Sequence, residues 1–141
     1  AQFYVHTGMI GLDGVKMSKS LGNLVFVHKL VEAGEDPSAI RLGVFAGHYR
    51  DERDWSDEVL EEAKRRLAAW REALAKPGSL AGAQAVVAKL RAAIANDLDT
   101  PSALAAVDDW AEGDRGAEEE GAADLVRTAL NSLLGVQAWP R

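Results

Sequence analysis

Residues 55–77 read Trp55-Ser56-Asp57-Glu58-Val59-Leu60-Glu61-Glu62-Ala63-Lys64-Arg65-Arg66-Leu67-Ala68-Ala69-Trp70-Arg71-Glu72-Ala73-Leu74-Ala75-Lys76-Pro77, and they decide the fold class. Ser56 is a capping residue, Asp57 and Glu58 follow where a helix end is positive, and Trp55 with Leu60 fits a hydrophobic staple. Leu60, Ala63, Leu67, Trp70 and Leu74 recur at three- and four-residue steps, which lines one apolar helix face. Pro77-Gly78 then breaks the helix. Toward the C-terminus the pattern repeats. A helix is predicted over 80–95 with Ala83, Val86, Val87, Leu90 and Ile94 facing inward. Thr100-Pro101 caps and opens another, which carries Leu104, Val107 and Trp110. A solvated loop at 113–121 contains Glu118-Glu119-Glu120, and a last helix carries Leu125, Ala129, Leu130, Leu133 and Leu134 before Gly135 ends it. Amphipathic helices joined by short loops predict a mainly α protein, an α-helical bundle.

The N-terminal side reads differently. Residues 3–10 form a β-rich run, read as a strand entered midway, and Asp13-Gly14 is a tight-turn signal. From Gly11 to Asn23 the chain is a glycine-flanked loop, expected to be mobile. A short helix is predicted at 27–33 with Gly34 past its end, and Asp36-Pro37 opens another through residue 46.

With 141 residues the chain holds one domain, or one domain and the edge of another, and its opening residues read as a piece of a larger protein. It is 48% hydrophobic and 27% charged, with 16 basic and 22 acidic residues and a net charge of −6. That balance argues against a general nucleic-acid binder. Residues 92–141 hold three basic and ten acidic side chains, a net of −7, so functional positive charge is expected nearer the N-terminus. There is no Cys, which excludes disulfides, thiolate metal sites and a cysteine nucleophile within the chain. No apolar run reaches the ~20 residues of a membrane helix. A cytoplasmic protein with no membrane partner is expected.

Lys16-Met17-Ser18-Lys19-Ser20 is the chemically informative stretch. On composition alone it is an exposed Lys/Ser loop. Its order says more: two ammonium groups three residues apart, with two hydroxyls beside them, can fold over a polyphosphate. Donors that close as pyrophosphate leaves stabilise the transition state more than the ground state. The spacing is not that of a P-loop.

Residues 9–23, Met9-Ile10-Gly11-Leu12-Asp13-Gly14-Val15-Lys16-Met17-Ser18-Lys19-Ser20-Leu21-Gly22-Asn23, resemble the second signature of class I aminoacyl-tRNA synthetases. Tyr4-Val5-His6-Thr7-Gly8, Ala46-Gly47-His48-Tyr49-Arg50 and Asp97-Leu98-Asp99-Thr100-Pro101 resemble its cysteine-activating branch, shared by cysteinyl-tRNA synthetases and the cysteine:glucosaminyl-inositol ligases of mycothiol biosynthesis. Three features favour the ligases. These are Gly8-Met9-Ile10-Gly11 before the turn, a chain that runs out just after Leu134-Gly135-Val136, and the acidic last third.

The resemblance implies an ATP-dependent, AMP-forming ligase that joins L-cysteine to glucosaminyl-inositol through cysteinyl-adenylate, with no tRNA partner. It implies Lys16 and Lys19 as the catalytic lysines on pyrophosphate, Lys19 foremost, assisted by Met17, Ser18 and Ser20. Met9 and Ile10 are implied at the adenine edge. Gly14 and Gly22 are implied as loop hinges, with Asn23 pinning the far end. It divides the chain into 1–23, the end of the nucleotide-binding catalytic domain, and 24–141, an α-helical C-terminal domain. The N-terminal catalytic half of the same protein is then the partner, and the first signature and the zinc ligands lie there. His6, His28 and His48 are too scattered for a zinc site, so no metal ligand is assigned, and the chain alone is expected to be inactive. Non-catalytic readings cover the rest. Trp70 and Trp110 are core, His6 and His28 structural or exposed, Asp97 and Asp99 capping or loop stabilisation, and His48-Tyr49-Arg50 structural hydrogen bonding. A non-catalytic helical interaction module remains the reading from another class.

Overall fold

The long helix α3 spans Asp57–Ala75 and starts where its capping signals place it: the Ser56 hydroxyl accepts the Val59 N–H at 3.4 Å. A computed structural model describes residues 2–139 of the chain; Ala1, Pro140 and Arg141, at the two ends of the division drawn at residue 23, lie outside the described residues. Against α3 pack α5 (Thr100–Glu112) and α6 (Ala122–Ala129), and α4 (Leu80–Ala95) packs on α5 and α6; α6 continues as a π-helical turn over Leu130–Leu134 and stops at Gly135. The apolar faces meet in one core that holds Leu67, Trp70, Leu74, Leu90, Leu104 and Leu130. Full burial of each such side chain contributes about 1.5–3 kcal/mol. Trp70 is 0% exposed, yet its indole N–H is not stranded: it donates to Asp108 Oδ1 at 2.8 Å, and Arg66 Nε reaches the same carboxylate at 2.9 Å.

Before this bundle lie α1 (Val27–Glu32) and α2 (Pro37–Phe45), α2 capped by Asp36 with proline at its start. Ahead of them, β1 (Ile10–Leu12) and β2 (Val15–Lys16) form a hairpin. Asp13 and Gly14 both take positive φ, 53° and 74°, the turn that matches strand twist in a two-residue hairpin. A third strand, β3 (Arg53–Trp55), pairs parallel to β1 with Gly11 opposite Asp54, giving the order β2-β1-β3. Parallel neighbours need a long crossover, and α1 and α2 supply it. A second, smaller core of Ile40, Trp55 and Leu60, with Ile10, Met17, Val25, Leu30 and Val59 against it, fastens the sheet to the bundle.

Three expectations change. The strand expected over residues 3–10 begins only at Ile10, and Phe3, Tyr4 and Val5 stay exposed. An extended segment becomes a strand only when a neighbour takes up its peptide groups, and among the described residues no ladder does so for 3–9. The α5 cap is Asp99, which accepts the Ser102 N–H at 3.0 Å; Thr100 is buried, and its hydroxyl donates to the Gly47 carbonyl at 3.3 Å. Glu119 is not merely solvated: its carboxylate accepts the Leu80 N–H at 2.6 Å, at the positive start of α4.

Candidate active site

The Lys-Met-Ser-Lys-Ser loop leaves the sheet directly from β2. Lys16 is the last residue of that edge strand and is exposed. Met17 turns inward against the small core, which anchors the loop at its root. Residues 18–22 then form a compact turn. The Ser18 hydroxyl accepts the Leu21 N–H at 3.3 Å and lies 3.2 Å from the Ser20 hydroxyl, while the Gly22 N–H donates to the Lys19 carbonyl at 3.3 Å. Gly22 has φ 66°, a conformation glycine adopts without strain. Asn23 closes the turn from its far end: its Oδ1 accepts the Ser18 N–H at 2.8 Å, and its Nδ2 donates to the Lys16 carbonyl at 3.3 Å.

Lys19 is exposed at the outer bend of this turn. Among the described residues neither the Lys16 nor the Lys19 ammonium is paired with a carboxylate, whereas Lys64 is held by Glu35 and Glu61. Two uncompensated cations and two hydroxyls on one short turn suit a polyphosphate. Met9 and Ile10 lie at the start of the same sheet. The Met9 carbonyl accepts the Arg53 N–H at 3.0 Å, and Ile10 packs on the small core. Gly14 sits in the hairpin turn, with its N–H bonded to Asp54 Oδ2 at 2.7 Å.

A second polar cluster backs the segment before β1. The Gly8 N–H donates to the Tyr49 carbonyl at 2.8 Å, and a Cβ on Gly8 would come within 2.3 Å of the Asp51 carbonyl oxygen, so the 47–51 loop lies flush against Gly8. Asp97 holds that loop from the α4–α5 connection. The Tyr49 hydroxyl donates to its Oδ1 at 2.7 Å, Arg50 Nε pairs with Oδ2 at 2.8 Å, and His48 Nε2 donates to its backbone carbonyl at 2.9 Å. Arg50 and Tyr49 hold the Asp97 carboxyl below the usual carboxylate range, and Asp97 in turn raises the Tyr49 phenol. Of the two roles expected for this pair, Asp97 therefore takes loop stabilisation and Asp99 takes the cap of α5.

Sequence reasoning passed over two residues that shape the site. Arg53 reaches into the end of α2, donating to the Gly43 carbonyl at 3.2 Å and to the Val44 carbonyl, and its burial lowers its pKa from the ordinary arginine value. Asp54 is the other. Both lie more than 30 residues beyond Lys16-Met17-Ser18-Lys19-Ser20 in sequence, and no local signal joins them to it.

A zinc ion is implied by the resemblance, but these residues do not fit one. Cys is absent from the sequence, and among the described residues no three His, Asp or Glu side chains converge as a metal site.

Residues 1–65 match the family model of the class I (C) tRNA synthetase catalytic domain. The chain is 66% identical over 139 residues to an L-cysteine:1D-myo-inositol 2-amino-2-deoxy-alpha-D-glucopyranoside ligase of Corynebacterium aurimucosum, an alignment covering 97% of this chain and 34% of that protein. It is 57% identical over 143 residues to the ligase of the same name from Saccharomonospora viridis, covering 96% and 34%. The corresponding figures for that of Streptomyces avermitilis are 54% over 138 residues, 96% and 34%. The chain thus spans about a third of the length of the curated relatives it matches, 34% in each case.

Proposed function

Over 97% of its length this chain is a relative of the L-cysteine:amino-sugar ligases, with the class I (C) catalytic-domain match across its loop-bearing end, and we propose that it works as part of such an enzyme. The observation that carries the reading is the Lys16–Asn23 turn, with two ammonium groups that have no carboxylate partner among the described residues, two hydroxyls and a side-chain clasp. The whole enzyme joins the carboxyl group of L-cysteine to the amine of a glucosaminyl-inositol, the step that builds mycothiol. A cysteine carboxylate oxygen attacks the α-phosphorus of ATP, the bond to the β-phosphate oxygen breaks, and pyrophosphate leaves. The sugar amine then attacks the carbonyl carbon of the adenylate, loses a proton, and expels AMP.

Charge grows on pyrophosphate during the first step, and there the loop acts. Lys19, helped by Lys16, meets the developing charge; Ser18 and Ser20 donate to phosphate oxygens. Gly14 and Gly22 flank the moving part, and Asn23 restores its shape. The backbone at Met9 and Ile10 meets the adenine edge. Residues 1–23 close the nucleotide-binding domain, and the C-terminal domain, 24–141, supports it through its helices.

The rest of the enzyme, its N-terminal catalytic half, is the partner. It covers the strip made by Phe3, Tyr4 and Val5, which are 85%, 78% and 75% exposed here. Among the described residues no helix is long and apolar enough to cross a membrane, and the working place proposed is the cytoplasm. The names of the relatives and the −7 of residues 92–141 favour an amino sugar over tRNA as acceptor.

The first half-reaction gives a test. The full-length enzyme should exchange labelled pyrophosphate into ATP only when cysteine is present, and this chain alone should not. Cysteine-independent exchange, or none by the full-length enzyme, contradicts the reading; exchange by the isolated chain contradicts the division of labour.

A further inference from the structure

Asp54 lies at the middle of β3, opposite Gly11 on β1. Asp54 is exposed, and its carboxylate lies across Gly11, where a Cβ would sit 2.5 Å from Oδ1, too close for any other residue without a shift. From there Oδ2 accepts the Gly14 N–H at 2.7 Å, inside the hairpin turn and two residues before Lys16. Side chains alternate across a strand, so the next residue, Trp55, faces the opposite side. On that side Trp55 belongs to the small core on which Met17 packs. One short strand therefore holds both the turn before the lysine loop and the root after it.

We propose that Asp54 is a positioning residue for the Lys-Met-Ser-Lys-Ser loop, holding the β1–β2 turn through the Gly14 N–H so that Lys16 and the turn behind it leave the sheet in one direction. The proposal rests on the ligase reading above for its catalytic consequence, but the clamp itself is a property of the fold. A side chain that fixes a hairpin shortens the search its lysines make before meeting pyrophosphate, and misplacing a reacting group by about 1 Å can cost about 10²-fold in rate. Gly11 belongs to the same device, because its missing side chain leaves room for the carboxylate.

The test uses the full-length enzyme with Asp54→Ala, Asp54→Asn and Gly11→Ala. Asp54→Ala should lower single-turnover adenylate formation by roughly ten- to 10²-fold, with the KM for cysteine little changed. Asp54→Asn keeps an oxygen for the Gly14 N–H and should restore most of the rate. Gly11→Ala should push the carboxylate off the turn and behave like Asp54→Ala, which covers the case in which one variant fails to fold. Hydrogen exchange of the peptide covering residues 9–23 should quicken in Asp54→Ala and stay near wild type in Asp54→Asn. Wild-type adenylation by Asp54→Ala overturns the proposal, as does an Asn variant as impaired as the Ala one. A wild-type enzyme without cysteine-dependent activity would instead sink the ligase reading, while exchange in the hairpin would still test the clamp.

Discussion

Lys19→Ala in the full-length enzyme should lower single-turnover cysteinyl-adenylate formation by about 10²–10³-fold and leave cysteine binding close to wild type. The asymmetry follows from where Lys19 sits. It lies at the exposed bend of a turn whose hydrogen bonds come from Ser18, Leu21, Gly22 and Asn23, so removing its ammonium group leaves that turn intact. Its charge has no carboxylate partner among the described residues, so the loss falls on whatever the ammonium meets from outside the chain. Pyrophosphate carries its greatest charge as it departs, which puts the cost in the rate constant rather than in substrate affinity. Single-turnover rates with quenched-flow sampling check this. An unchanged rate removes Lys19 from the role, and an equal loss in cysteine affinity makes it a binding residue instead.

Trp70→Ala should destabilise the chain by about 3–5 kcal/mol, the usual cost of emptying an aromatic site in a packed core. Trp70 is wholly buried at the centre of α3, and its indole N–H is one of the donors that satisfy Asp108. The substitution leaves a cavity and takes one partner from a carboxylate shared with Arg66. Domains of this kind are stable by about 5–15 kcal/mol, so the variant should lose a large fraction of its stability. Trp70→Phe fills most of the space but cannot donate, and should lose less. Urea midpoints measured by far-ultraviolet circular dichroism separate the two. A midpoint for Trp70→Ala within error of wild type would show that the bundle is not centred on this residue.

Local chemistry was legible in the sequence, and long-range pairing was not. The start of α3, the breaks at Gly34 and Pro77-Gly78, the Asp13-Gly14 turn and the stop at Gly135 each depend on a few neighbouring residues, and each is found in place. Trp70 and Trp110 are core, as their helical spacing implies. The third strand was missed because Arg53-Asp54-Trp55 is too short and too charged to signal a strand; it forms because β1 offers an open edge. The opposite error occurred at residues 3–10, where β-prone residues are present but, among the described residues, no strand pairs with 3–9. Within the candidate site, the lysines, the serines and Asn23 lie in one contiguous signature and could be read directly. Asp54, Arg53 and the Asp97 tie could not, because they come from distant segments that meet only once α2, α4 and α5 are packed.

Both cysteine-activating families make the same adenylate, so only the acceptor separates them. The full-length enzyme should be incubated with ATP and radiolabelled cysteine, and offered glucosaminyl-inositol or tRNA in separate reactions. An acidic helical end is a poor surface for a long polyanion, whereas a small amino sugar needs only a local pocket. Label on the amino sugar, with AMP released in equal amount and none on tRNA, is the result expected. Label on tRNA and none on the sugar would contradict the account.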